Sequence, residues 1–167
     1  ETSDTADIPS DQFAVGFFVR VTVVSEDDLG GTTSFTSNDL QIANLDDPAT
    51  GLLTFTGTLE AGDTVTADTT DLRDEDGGIH SFFYQWQRWD GAGDPALTPT
   101  VPSEASTPAE TAVDGWVVIS GANGETYTID GDLLPEDSWI RLAVVTTDAL
   151  NGSPLGLRSA PQQVGNV

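Results

Sequence analysis

Carboxylates are the side chains of this sequence with the most evident chemistry. Asp71, Asp74, Glu75 and Asp76 crowd into DLRDEDGG, Asp46 and Asp47 sit together in NLDDPATG, and Asp148 closes the run RLAVVTTD. A hard cation such as Ca²⁺ takes about six to eight oxygen ligands. Carboxylates drawn from several segments could supply them. Asp74-Glu75-Asp76-Gly77 alone lacks the remaining ligands of an EF-hand loop, so the site would have to be assembled from separate segments. The other reading of these acids is a set of solvated turns, because Asp closes turns through its own carboxylate.

Other chemistry is thinly represented. His80 is the single histidine, with no nucleophile or partner signature around it, and its reading is a partly exposed residue at a strand start. Two carboxylates suffice for a glycosidase, but no motif here places such a pair. Trp89 and Trp116 flank a proline-rich segment and are candidates for stacking against sugar rings, the alternative being that both pack beneath that segment. NGS at Asn151 fits a glycosylation pattern and is read as a turn.

The charge balance narrows the partners. Twenty-eight acids face five arginines, for a net charge of −23. Phosphate binding needs clustered Lys and Arg, so nucleic acid is excluded as an expected partner, and so are anionic membrane surfaces. Such self-repulsion is tolerated in salt or with divalent cations, which points to a saline, calcium-containing exterior. Cysteine is absent, which removes disulfides, zinc–thiolate sites and thiol nucleophiles. No apolar run reaches the length of a membrane span. Methionine is absent too, and a chain opening on Glu1 reads as part of a longer polypeptide.

The elements that must hold these residues are strands. Short β-branched and aromatic runs alternate with Gly, Asp, Asn and Pro clusters, which predicts an all-β chain. Strands are expected near 15–26, 35–43, 52–58, 63–67, 81–89, 116–120, 126–129, 139–147 and 156–164. Residues 90–114 carry four prolines and read as a long insertion. That composition predicts a mobile, mainly irregular excursion whose removal leaves folding intact.

The sequence also repeats itself. FFVRVTVVSEDDLGG matches SWIRLAVVTTDALNG, with Arg20 on Arg141, Val23 on Val144 and Asp27 on Asp148 at an offset of 121. After a one-residue slip, Ser37 falls on Ser159 and Ile42 on Val164, an offset of 122. Residues 1–44 therefore read as the C-terminal half of a module, 45–50 as a linker, and 51–167 as a complete module. The two copies predict matching antiparallel hairpins, and the apolar face of the first needs a cover: a missing half of its module lying upstream, the complete module, or another chain.

The cues GTLEAGDTVTAD, DLRDEDG, FFYQWQR, ISGANGETYTI, IRLAVVTTDALNG and SAPQQVGNV together resemble the bacterial immunoglobulin-like (cadherin-like) repeat of RTX adhesins and related type I-secreted proteins. The resemblance covers 51–167 apart from the insertion, and 8–45 as a half copy. It implies an Ig-like antiparallel β-sandwich, an extracellular or cell-surface location, and neighbouring repeats as partners. In that topology the linker, the early acidic loop and the late hairpin share one end, so Asp46, Asp47, Asp74, Asp76 and Asp148 are the expected Ca²⁺ ligands. The expected function is a non-catalytic, calcium-stabilised spacer or adhesion module. The alternatives are a module binding carbohydrate or another surface ligand through 90–114, or an accessory region of a secreted enzyme such as a heme peroxidase.

Overall fold

The computed structural model describes residues 15–44, 47–75, 77–95, 103–104, 107–113, 115–150 and 154–165. The chain divides into two compact units, 1–45 and 46–167. Both are built from antiparallel strands.

In the second unit, β5 (Thr54–Thr56), β6 (Thr64–Asp68) and β10 (Thr126–Thr128) form one sheet in the order β10-β6-β5. The facing sheet runs β8-β12-β11-β7-β9. Its strands are β7 (Ile79–Trp89), β8 (Ser103–Glu104), β9 (Trp116–Val118), β11 (Trp139–Asp148) and β12 (Leu155–Arg158), and β13 (Gln162–Gln163) also pairs with β11. First, second and fifth strands against third, sixth and seventh is the Ig-like order, with β9 added beside the third strand.

The core follows from alternation along the strands. Phe55 and Val65 from one sheet meet Trp86, Ile140, Leu142 and Val144 from the other, and all are nearly or wholly excluded from solvent. Trp86 anchors this layer. Phe55 meets its ring edge-on with centroids 5.2 Å apart, Tyr127 stacks on it at 5.9 Å, and its indole N–H donates to the Gly124 carbonyl at 3.0 Å. Burying a side chain of this size contributes about 1.5–3 kcal/mol.

The described residues of the first unit, 15–44, form a hairpin. Its strands are β1 (Phe18–Val19), β2 (Thr22–Glu26), β3 (Thr32–Thr36) and β4 (Leu40–Gln41), with β2 on β3 and β1 on β4. Its second arm starts at Thr32, three residues before the sequence places it, and breaks at Ser37. The break has a local cause, because the Ser37 hydroxyl takes the Val21 N–H at 2.9 Å and shifts the register by one.

The same break recurs at the end of the chain. Ser159 takes the Leu142 N–H at 2.9 Å, and the second arm is split into β12 and β13. Pairing agrees position by position. Thr22↔Thr36 becomes Ala143↔Arg158 (22 + 121, 36 + 122), and Phe18↔Gln41 becomes Trp139↔Gln163 (18 + 121, 41 + 122). Even the backbone entry is shared, with φ of 88° at Gly16 and 63° at its equivalent Asp137. The repeat is thus one of structure as well as of sequence.

Among its described residues the insertion is mainly irregular, as expected, but it packs on the module. Within it, Ser103–Glu104 pairs with Leu155–Gly156, and Pro108–Thr111 forms a turn of 3₁₀ helix against the outer face of the large sheet. Proline fits the first helical turn because no backbone N–H is needed there. Thr111 is buried, so this stretch is a lid that packs.

Candidate functional site

Three acid-bearing segments meet at one end of the second unit. Thr50 and Arg73 exchange two backbone hydrogen bonds of 2.8 and 2.9 Å, which fasten the linker to the loop between β6 and β7. Asp71 tightens the junction by accepting the Leu52 N–H at 3.1 Å. Gly51, at φ 109°, fits there because a Cβ would run into the Asp71 carbonyl. On the other side of the loop, a Cβ on Gly77 would lie 3.7 Å from Ala149, and Ile79 pairs with Asp148 across the sheet. Hydrogen bonds and strand pairing thus bring the segments together.

The carboxylates themselves are placed unequally. Asp47 is exposed, Asp74 half-buried, and Asp148 buried with its Oδ1 accepting the Leu150 N–H at 2.5 Å. Asp46 and Asp76 lie outside the described residues. Among the described residues, no three His, Cys, Asp or Glu side chains form a metal-holding group. Arg73 puts a positive charge in this loop, its guanidinium donating to the Thr70 and Leu72 carbonyls at 2.6 and 2.7 Å. Asp148 takes the turn-closing role that was the other reading of these acids, though buried and not solvated. It closes the turn after β11 as Asp27 closes the turn after β2, where Oδ1 takes the Leu29 and Gly31 amides at 2.9 and 2.8 Å.

The second feature lies on the outer face of the large sheet. Arg141 is only 4 % exposed there. Its Nε donates to Gln87 Oε1 at 2.7 Å, one terminal nitrogen donates to the Thr111 carbonyl at 3.0 Å, and the guanidinium stands 4.2 Å from the centre of the Trp116 ring. Gln87 is held in turn, its amide donating to Thr111 Oγ1 at 2.9 Å and to the Pro108 carbonyl at 3.2 Å. A buried cation needs such partners, because desolvating it alone would be very costly.

This cluster fixes the two candidate tryptophans. Trp116 is buried beneath the lid, and Trp89 is half-buried with its ring 5.4 Å from that of Trp116. The Trp89 indole N–H donates to the Gly93 carbonyl at 2.6 Å. The sequence does contain a sign of this covered face. Leu142-Ala143-Val144-Val145 is apolar on both faces of the strand, the pattern of a strand buried on both sides.

Beside the lid, a cleft of about 310 Å³ is lined by Phe82 to Gln85, Thr107 to Ala109 and Asn123. Among the described residues, no carboxylate or histidine lines it. Burial pushes the Tyr84 phenol above its ordinary value, and the Glu125 charge adds to this. Tyr84 therefore stays neutral near pH 7 and offers no base. His80 is exposed on β7. No helix among the described residues is long and apolar enough to cross a membrane.

Comparison with known protein families, with curated proteins and with solved structures found no match to this chain.

Proposed function

We propose that this chain is a non-catalytic Ig-like spacer or adhesion module, stabilised by calcium, from a large secreted or surface-attached bacterial protein. The meeting of linker, acidic loop and late hairpin at one end of the module carries this reading. Those segments bear Asp46 and Asp47, Asp74 and Asp76, and Asp148. Carboxylates drawn close to one another there would repel by about 1 kcal/mol per close pair in water, and more where water is excluded. A divalent cation converts that repulsion into coordination and stiffens the linker against the loop. A spacer needs that stiffness.

Calorimetric melts in calcium and in chelator test the reading. At 100 times its dissociation constant, bound calcium stabilises the fold by about 2.7 kcal/mol. For a chain of this size that raises Tm by roughly 5–10 °C. Asp74→Asn and Asp148→Asn each shrink the difference, and Asn at 148 can still accept the Leu150 amide. Identical melts in calcium and in chelator would remove calcium from the proposal. Glycan stacking on Trp89 and Trp116 gains no support from the geometry, since Trp116 is buried beneath the lid and Trp89 is half-covered.

A further inference from the structure

The hairpin of unit 1–45 leaves uncovered what its equivalent buries. Val21, Val23 and Val24 are 62, 55 and 64 % exposed, whereas Leu142, Val144 and Val145 are at 0 %. Phe35 is 61 % exposed and its equivalent, Leu157, 3 %. The difference does not lie in the hairpin, because pairing, register, serine break and closing aspartate are the same in both. It lies in what packs against it.

The complete unit displays the cover. On β11, Leu142 turns its N–H and C=O toward Ser159, so Arg141, Ala143 and Val145 turn theirs toward β7. On β2, Val21 turns toward Ser37 in the same way. Arg20, Thr22, Val24 and Glu26 consequently present their backbone groups to an edge on which no described strand pairs. That edge corresponds to the one β7 occupies.

We propose that this edge and its apolar face are a docking site for the N-terminal half of another module of the same kind. The donor adds a strand antiparallel to β1 and β2 in the register β7 takes on β11. It places an aromatic residue opposite Val21, as Trp86 stands opposite Leu142, and a hydrogen-bond acceptor opposite Arg20, as Gln87 stands opposite Arg141.

Stoichiometry argues against a second copy of this chain as the donor. Each chain holds two such hairpins and one complementary half, 51–134, which its own β11 to β13 already complete. Exchange between copies would uncover one hairpin for every one it covered. In the complete unit the complementary half directly precedes its hairpin, and the same chain order joins the donor ahead of Val15. The inference rests on the repeat-array reading above, but not on calcium.

The test compares the chain with an extended one in which residues 47–134 are duplicated in place of 1–13. Amide hydrogen exchange is measured in calcium and in chelator. In the extended chain, the Thr22, Val24 and Glu26 amides slow by at least about 100-fold, toward the rates of Ala143, Val145 and Thr147, in both solutions. Thr22→Pro, which removes one edge N–H, abolishes that slowing and leaves the melt of the unextended chain unchanged. Equal exchange in the two chains overturns the proposal, even if calcium still raises Tm and the spacer reading stands. Concentration-dependent protection of these amides in the unextended chain also overturns it, by making a second copy the occupant.

Discussion

Arg141 shows how much one polar residue can demand of its surroundings. Its guanidinium is shut away from water by a side chain from β7, a carbonyl from the lid and an indole from β9. Removing one partner of a buried group costs more than the bond contributes, because the remaining group stays desolvated. Gln87→Ala should therefore destabilise the module by about 1–3 kcal/mol, read as a lower urea midpoint. Replacing both members, Gln87→Leu with Arg141→Met, should cost less than Gln87→Ala alone, since well-packed apolar residues can stand in for a buried polar pair. A double variant worse than the single one would show that the guanidinium contributes net stability.

At the scale of elements, the lid is the part whose behaviour differs most from its composition. Proline and small residues make 90–114 look like a solvated excursion. Yet Thr111 is buried, and the 3₁₀ turn contacts β7, β11 and β12. The lid contributes through what it keeps dry, chiefly Trp116, Gln87 and Arg141. Replacing residues 96–113 by a short Gly-Ser link should lower stability by at least about 2–3 kcal/mol, roughly the burial of one large side chain. Urea denaturation of the two chains measures it. An unchanged midpoint would return the insertion to the role its composition suggests.

For the whole molecule the dominant quantity is charge. A net charge of −23 makes compaction work against repulsion. Raising ionic strength from about 0.01 to 0.15 M shortens the screening length from roughly 30 to 8 Å. Tm should therefore climb with NaCl and level off once screening is shorter than the spacing of the surface acids. Calcium at matched ionic strength should add a further rise that NaCl does not reproduce. Melts in NaCl, MgCl₂ and CaCl₂ separate general screening from a specific site.

Strands, turns and the repeat were legible along the chain. These depend on local physics: β-branched alternation, turn-forming Asp and Gly, and a serine whose hydroxyl interrupts one arm of each hairpin. The slip from 121 to 122 falls between the two arms, one extra residue in the second copy, while the register shift at Ser37 and Ser159 is common to both copies. That the linker, the acidic loop and the late hairpin share one end followed from the sandwich topology, which no single segment states by itself.

Which faces are covered was settled by packing, and the apolar run Leu142 to Val145 is its one sign in the sequence. Arg20 and Arg141 occupy equivalent places in nearly equivalent strands, yet Arg20 is exposed and Arg141 buried. The lid was legible only as the alternative that Trp89 and Trp116 pack beneath 90–114; its contacts to Gln87 and Arg141 depend on distant residues and on no periodicity of its own. Burial is a property of what stands opposite a residue. For the second hairpin that partner is β7 and the lid; for the first, its pattern states only that a partner is needed.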